Sequence, residues 1–590
     1  MAAAVPAADG VPDDLVQWLE GLKPRLADAL EEDRKSIEAN PEKEPFRSKY
    51  AARQIFEEVL RECEDKLGGA DERIAGEGDS PFGFISGVIA LLALHLGVNH
   101  IEAEETPEGE KYLTRARGLL EEVKLHPRYC NAYTRVLSQE GILWSNRNEH
   151  KRALEMLAEA EAVYNSFVKK HKAEGGDGAD GGVVGDGVVP WRATELLPAS
   201  PAAECWADFE RTHTHTTYYI AQCFGHLGEA HKSAEYCQMT LRRQFETKEY
   251  DPLEWAVHCA VLSQFYLQQD DYRSASHGLL CATKVAQTAD ASVDEETKAD
   301  KVAHIERCWI KYALHLLSDR EPAAPPGAAV LQFGVDIGDI SEDARAAVPT
   351  AAPTSFVEAK SIFHLGQSHV RAALKHLTLD GHVTDHVEVL QDHSRLYQNL
   401  VPFIDEVDSK CKLHKRRLDM LLSVVTELNP QYFLLVVRQL QFEIAETAQE
   451  MMSLKRSKYS NVNPPDDHAT AKINRLGMQS IKWFTAFQES CRDTVTKELP
   501  KDLDDTVERP FLVAKFTCAR IYSQLLVGDP AQYAHNMKQC EEGYKWCVTY
   551  VDDHPGCKSF DQEYELCKEM AAMLPEKVRR DLHALQGAGR

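Results

Sequence analysis

The feature that most constrains this chain is a repeated ruler of small residues. Gly97, Gly109 and Ala116 stand twelve and then seven positions apart. The same two intervals separate Gly141, Ala153 and Ala160; Ala221, Ser233 and Thr240; and Ser263, Ala275 and Ala282. Small side chains at these positions let two helix backbones approach closely, so each triplet predicts a helical hairpin. The stretch Tyr218–Ala282 carries two such hairpins in succession. In each, the first helix ends in an aromatic (Phe224, Tyr266), a polar turn follows (Gly228; Asp270–Asp271), and the second helix holds the remaining small residues. Asn148 marks the turn of the hairpin before them. This is the pattern of the tetratricopeptide repeat, a unit that buries its apolar face by stacking on its neighbours and leaves a concave wall for binding proteins. The repeats recur at roughly 40 residues or more, longer than the usual ~34, which implies lengthened helices or loops.

The rest of the chain extends the array. Phe82–Val98 is an apolar run, short for a membrane span and interrupted by Gly83, Ser86, Gly87 and His95, so it predicts a buried helix. Asn429–Pro430 is a helix start signal, an Asn cap with Pro at the first position. After it, Phe433, Val437, Leu440, Ile444, Ala448 and Met451 make one apolar stripe at helical spacing. Further helices are expected over Ala471–Cys491, Pro510–Leu526, Ala531–Val551 and Gln562–Met573. Strand-like alternation is absent, and the expected fold is all-α. Residues 1–13 are expected to be disordered. An N-terminal array over 14–317 contains an acidic Gly-rich loop at 172–189. A Pro/Ala-rich linker, 318–353, leads to a second array over 354–590.

Charge and cysteine usage narrow the function. The net charge of −26 argues against a nucleic-acid partner and suits one with a basic surface. The 15 cysteines form no CxxC pair, so neither a disulfide framework nor a thiolate metal site is indicated. They read as small buried hydrophobes in a reducing compartment. The N-terminus lacks the basic and apolar regions of a signal peptide. These features together predict a cytoplasmic protein with no membrane insertion.

Three stretches resemble chemical motifs. GGDGADGGV, within 172–189, nearly fits a calcium-binding nonapeptide, but Gly182 stands where a large apolar residue is needed and only one copy occurs; a flexible acidic linker is the simpler reading. In GHVTDHVEVLQDHS, the residues Asp385, His386, Asp392 and His393 suggest a metalloenzyme site, yet their order matches no metal-binding motif. The basic run KCKLHKRR (410–417) reads as a solvated helix face. No phosphate-binding loop, nucleophile elbow or kinase signature is present, so no catalytic residue is assigned.

Longer words carry a more specific resemblance. They are NPEKEPFRSKY (40–50), HLGVNHIEAEE (95–105), GILWSNR (141–147), YYIAQ (218–222), PLEWA and LSQFY (252–266) and RCWIKY (307–312). HVTDHVEVLQDHS (382–394), CKLHKRR (411–417), LNPQYFLLVVRQLQFEIA (428–445) and RPFLVAKF (509–516) continue the series. In these words the chain resembles the KIF-binding protein family, also called kinesin-binding proteins. The resemblance implies a right-handed α-solenoid of tetratricopeptide-like hairpins in two halves. It implies a monomeric, cytoskeleton-associated partner of kinesin motor domains that grips the microtubule-facing helix, keeps the motor off its track, and acts in transport, neuronal outgrowth and spindle function. It implies no enzymatic activity, cofactor or metal. Positions one past the first small residue face the groove of such repeats, which selects Gln222 and Gln264, with Tyr219 on the same helix as Gln222. The resemblance adds Gln244. A chaperone-type adaptor, the other reading of the repeat, needs a cationic and amide clamp, but its positions hold Val98, Ile142, Gln222 and Gln264.

Overall fold

Each hairpin marked by the small-residue ruler is present, and the ruler measures a contact. In the computed structural model, a Cβ built on Gly109 would lie 2.7 Å from the Gly97 carbonyl oxygen. One on Gly141 would lie 3.3 Å from the Ala153 carbonyl and 2.6 Å from Leu157 Cγ. In the third hairpin Ser233 Oγ donates to the Ala221 carbonyl at 2.9 Å. Ser263 and Ala275 are fully buried in the fourth. The first two small residues of every triplet therefore sit where the paired helices cross.

The structure describes residues 13–35, 44–68, 81–171, 188–193, 200–289, 293–318, 346–459, 466–493, 496–554 and 557–588. The expectations for residues 1–12, for 172–187 of the acidic loop and for 319–345 of the linker lie outside them. Among the described residues there are nineteen α-helices and no strand. They fall in two compact units that divide between Asp251 and Pro252. The first contains α1 (Asp13–Asp33), α2 (Arg47–Leu67), α3 (Pro81–Glu102), α4 (Thr106–Leu120), α5 (Cys130–Asn146), α6 (His150–His171), α7 (Ala202–His226) and α8 (Ala230–Thr247). The second begins with α9 (Pro252–Gln268), α10 (Tyr272–Ala286), α11 (Glu295–Leu317), α12 (Phe356–Ala373), α13 (Val383–Leu400) and α14 (Val407–Val425). It continues with α15 (Leu434–Lys458), α16 (Asp467–Ser490), α17 (Asp505–Gln524), α18 (Pro530–Asp553) and α19 (Asp561–Ala588).

A second regularity accompanies the ruler. Seven residues after the first small residue of each triplet, the backbone turns left-handed: φ is 63° at Glu104, 63° at Asn148, 78° at Gly228 and 57° at Asp270. The next amide then reaches the carbonyl five residues back, Glu105 to His100 at 2.8 Å, Glu149 to Trp144 at 2.9 Å, Glu229 to Phe224 at 3.0 Å and Asp271 to Tyr266 at 2.9 Å. This is the Schellman closure, which satisfies carbonyls that the last helical turn leaves unpaired. Three of the four positions lack glycine, so packing of the two helices must offset the left-handed conformation.

In the first unit α3 forms the centre. The segment Gly83–Glu102 is apolar and long enough to cross a membrane, but 83% of its most apolar window is buried inside the chain, as a core helix requires. In the second unit α11 and α12, which flank the expected linker, pack together, and a Cβ on Gly366 would lie 2.9 Å from that of Ala313. All 15 cysteines are free thiols, and all but Cys237 are buried.

Two expectations are corrected here. Asn429 caps one isolated turn, accepting from the Gln431 amide at 3.0 Å, and α15 begins only at Leu434. The buried part of the predicted stripe, Val437, Leu440, Ile444, Ala448 and Met451, then faces the core. The basic run is not wholly solvated either. Lys412, Lys415 and Arg416 are exposed, but Arg417 is only 2% exposed. Its guanidinium donates to Ser394 Oγ (3.0 Å), His414 Nδ1 (3.0 Å), Glu450 Oε2 (2.8 Å) and Gln398 Oε1 (3.2 Å). A buried cation requires this density of acceptors.

The contact predicts opposite outcomes for two glycines on α4. Gly109→Ala forces the Gly97 carbonyl away and should cost about 1–3 kcal/mol, the range for overpacking. Gly118, exposed with nothing within 4 Å of a built Cβ, should gain about 0.5–1 kcal/mol as Gly118→Ala. Denaturant unfolding of both variants checks the pair.

Candidate protein-binding face

The run THTHTTYYIAQCF on α7 is rich in β-branched residues, which are weak helix formers. Their hydroxyls are satisfied along the helix: Thr212 donates to the Asp208 carbonyl (3.1 Å), Thr214 to Glu210 (2.9 Å) and Thr216 to Thr212 (2.9 Å). The threonines also bridge to neighbours: Thr212 Oγ1 donates to Asn131 Oδ1 of α5 at 2.9 Å and Thr214 Oγ1 accepts from Arg243 Nε of α8 at 3.1 Å. Thr216 Oγ1 pairs with Ser138 Oγ of α5 at 2.7 Å, and Thr240 Oγ1 of α8 donates to Thr217 Oγ1 at 3.0 Å. Helix α7 is thus fixed on one side against α5 and on the other against α8.

That fixation leaves a second stripe outward. His215, Tyr219 and Gln222 follow at helical intervals; His215 and Gln222 are exposed and Tyr219 half-buried. The His215 and Tyr219 rings meet edge to face at 4.9 Å, and Tyr218 meets Tyr219 at 5.2 Å. The Tyr219 ring packs beside the buried Ala153, Leu157, Ile220 and Cys223. Among the described residues, neither the Tyr219 hydroxyl nor the Gln222 amide has a hydrogen-bond partner. His215 is open to water at its edge yet walled in by protein. Its pKa is lowered first by that desolvation and then by the charge of Arg135.

Gln244 is on α8, the second helix of the same hairpin, and is half-buried. Its neighbour Arg243 is engaged with Glu210 and Tyr164. Gln264 belongs to the second unit. Its amide donates to Ser263 Oγ at 3.1 Å and to the Cys308 carbonyl at 3.4 Å, so the donor end ties α9 to α11. The free polar groups predicted for the groove are therefore concentrated on α7.

The residues considered for metal chemistry do not converge. Asp385 pairs with Arg307 at 2.5 Å, His386 Nδ1 meets the Leu377 carbonyl at 2.7 Å, and Asp392 pairs with Arg395 at 3.2 Å. His393 lies against Gln367 and Tyr397, and burial holds its imidazole down at about 4. Another residue of that stretch, His382, joins His376 and Asp300, with possible ligand atoms of all three within 4.8 Å. His376 and Asp300 already form an ion pair at 2.7 Å.

Comparison with known proteins decides the family. Residues 253–325 and 329–580 match a family profile described as KIF-1 binding protein C terminal. The chain is 34% identical to the KIF-binding protein of Bos taurus, covering 95% of this chain and 98% of the relative. It is 36% identical to that of Gallus gallus, covering 92% and 94%. This chain belongs to the KIF-binding protein family. The solved structure of a kinesin binding protein superposes with a TM-score of 0.63 at 31% identity, covering 96% of this chain and 99% of that one. The fold of this KIF-binding protein family member is accordingly an all-α helical-repeat solenoid, as the sequence predicts.

Helix α7 also carries a buried titratable group. His213 is 3% exposed and stacks on Tyr164 at 3.7 Å. Burial first, then Arg243, pushes its pKa from 6.5 down to about 3. The folded state refuses a proton that the unfolded chain takes up below about 6.5. The resulting stability is complete above that pH and is lost as pH falls towards 3. At pH 5 the loss is about 2 kcal/mol. His213→Phe keeps the stacked ring and removes the titration. Its stability should fall less than wild type's between about pH 7.5 and pH 5, by a similar ~2 kcal/mol in denaturant unfolding.

Proposed function

We propose that this chain is a non-enzymatic protein that binds the motor domains of kinesins and keeps them off microtubules. The observation that carries the reading is the near full-length likeness to proteins named for binding KIF or kinesin. The face on α7 gives it a physical basis. Tyr219 offers a large ring with a free hydroxyl, and Gln222 offers an unpaired amide. Such groups can hydrogen-bond a helix laid along the wall while the aromatic supplies buried area.

Charge supports the same partner. A motor surface that docks on acidic tubulin must be basic. A chain with a net charge of −26 attracts that surface and competes with the track. The contact covers the motor's microtubule-facing helix, with Tyr219, Gln222 and Gln244 as its residues in the first unit; Gln264, in the second unit, is a candidate contact by itself. The chain acts as a cytoplasmic monomer on the cytoskeleton, in two arrays over 14–317 and 354–590. Its effects on transport, neuronal outgrowth and the spindle follow from withholding motors.

Microtubule co-sedimentation of a kinesin motor domain tests this directly. The added chain should lower the bound motor fraction in proportion to its concentration. Tyr219→Ala with Gln222→Ala should weaken that effect about tenfold or more, as when an interface loses a central aromatic. An unchanged bound fraction for every motor tried overturns the reading.

A further inference from the structure

The first unit holds a cavity of about 360 Å³ bounded by the end of α1, by α2 and α3, and by Arg135 of α5. Its charges are unevenly matched. Lys49 pairs with Asp33 at 3.3 Å and also with Glu102. The Asp33 carboxylate further accepts from the buried Asn99 amide at 2.7 Å. Both carboxylates lining the cavity are thereby engaged.

Two guanidiniums remain. The exposed Arg34 and the half-buried Arg135 line the same cavity, and among the described residues neither side chain forms a hydrogen bond or ion pair. This is unusual in a chain with 93 Asp and Glu against 67 Lys and Arg, where a carboxylate is the commonest charged neighbour. Their fields add. Arg135 is lowered in pKa by desolvation, which outweighs the attraction of Asp208 and Glu102, and the charges of Arg34 and Arg211 act in the same lowering direction. Burial, Arg135 and Arg34 together hold His95, on the cavity wall, down at about 3. A desolvated guanidinium facing a second cation is poised for an anion, which its planar fork can bind through two parallel hydrogen bonds.

We infer that Arg34 and Arg135 form an oxyanion-binding pocket that takes a single carboxylate or phosphate group, supplied here by an acidic side chain of a bound protein. The cavity volume accommodates one such group, and Arg135 acts electrostatically on His215, one helical turn from Tyr219. Arg34 and Arg135 are not themselves chaperone-clamp positions, although Val98, one of those positions, lines the same cavity. The inference holds whichever protein occupies α7, so it can fail without the kinesin reading failing.

Calorimetric titration of the full chain with two probes tests it: inorganic phosphate, and the capped peptide acetyl-Gly-Glu-Asp-Gly-amide. The peptide should bind, and Arg135→Gln should weaken it about tenfold or more, the scale of a lost charge-assisted hydrogen bond. Arg34→Gln should weaken it as well, and provides the test should Arg135→Gln fold poorly. Arg61→Gln removes the same charge from a position on α2 that does not line the cavity and should change affinity by about twofold at most, since solvent screens a charge that makes no direct contact with the ligand. Equal weakening by Arg61→Gln and Arg135→Gln reduces the effect to diffuse charge and overturns the pocket. Binding of phosphate without the peptide overturns the assignment to a protein side chain. Binding of neither probe overturns the proposal.

Discussion

The structure depends on the backbone contact inside each helical hairpin. Where Gly97 meets Gly109 there is no room for a methyl group, and Ser233 closes the equivalent gap with a hydrogen bond to Ala221. Dispersion and burial over such close contacts are individually small and collectively large. They also fix the geometry of the turn. Once the helices cross seven residues before the turn, the left-handed residue and the Schellman bond bring the chain back in register. That Glu104 and Asp270 adopt this conformation without being glycine shows which interaction dominates.

The proposed binding face follows from that register. Helix α7 is clamped through Thr216 and Thr217, so the residues on its other face are held at fixed positions without being consumed by packing. Tyr219 is packed beside Ile220 and Cys223 while its hydroxyl stays unpaired among the described residues, a combination suited to recognition because little of its side-chain entropy remains to be lost on binding. Gln264 shows the contrast. At the same place in the repeat, its amide has been drawn inward to hold α9 on α11.

What could be read from the sequence was what neighbouring residues encode. The ruler, the turns at Asn148 and Gly228, the buried α3 and the all-α class depend on spacings shorter than one hairpin. Family words supplied the rest of the outline. The sequence did not reveal Arg417 as buried, because its acceptors come from helices 19 to 33 residues away, at Gln398, Ser394 and Glu450. Asn429 misled for a related reason: its cap chemistry is local and real, but the turn it starts ends before the packed helix begins. The cavity of Arg34 and Arg135 was equally hidden, since α1, α2, α3 and α5 each contribute a part. Apolar periodicity carries no information about which cations lack a partner.

The central claim is that a kinesin motor domain lies against α7. Site-specific photo-crosslinking tests it most directly, with p-benzoylphenylalanine placed in turn at Tyr219, at Gln222 and at exposed Glu235 on α8. The account predicts a covalent adduct with a kinesin motor domain from positions 219 and 222, lost when excess unlabelled chain competes, and none from 235. Adducts from 235 alone, or from no position despite measurable binding, would contradict it.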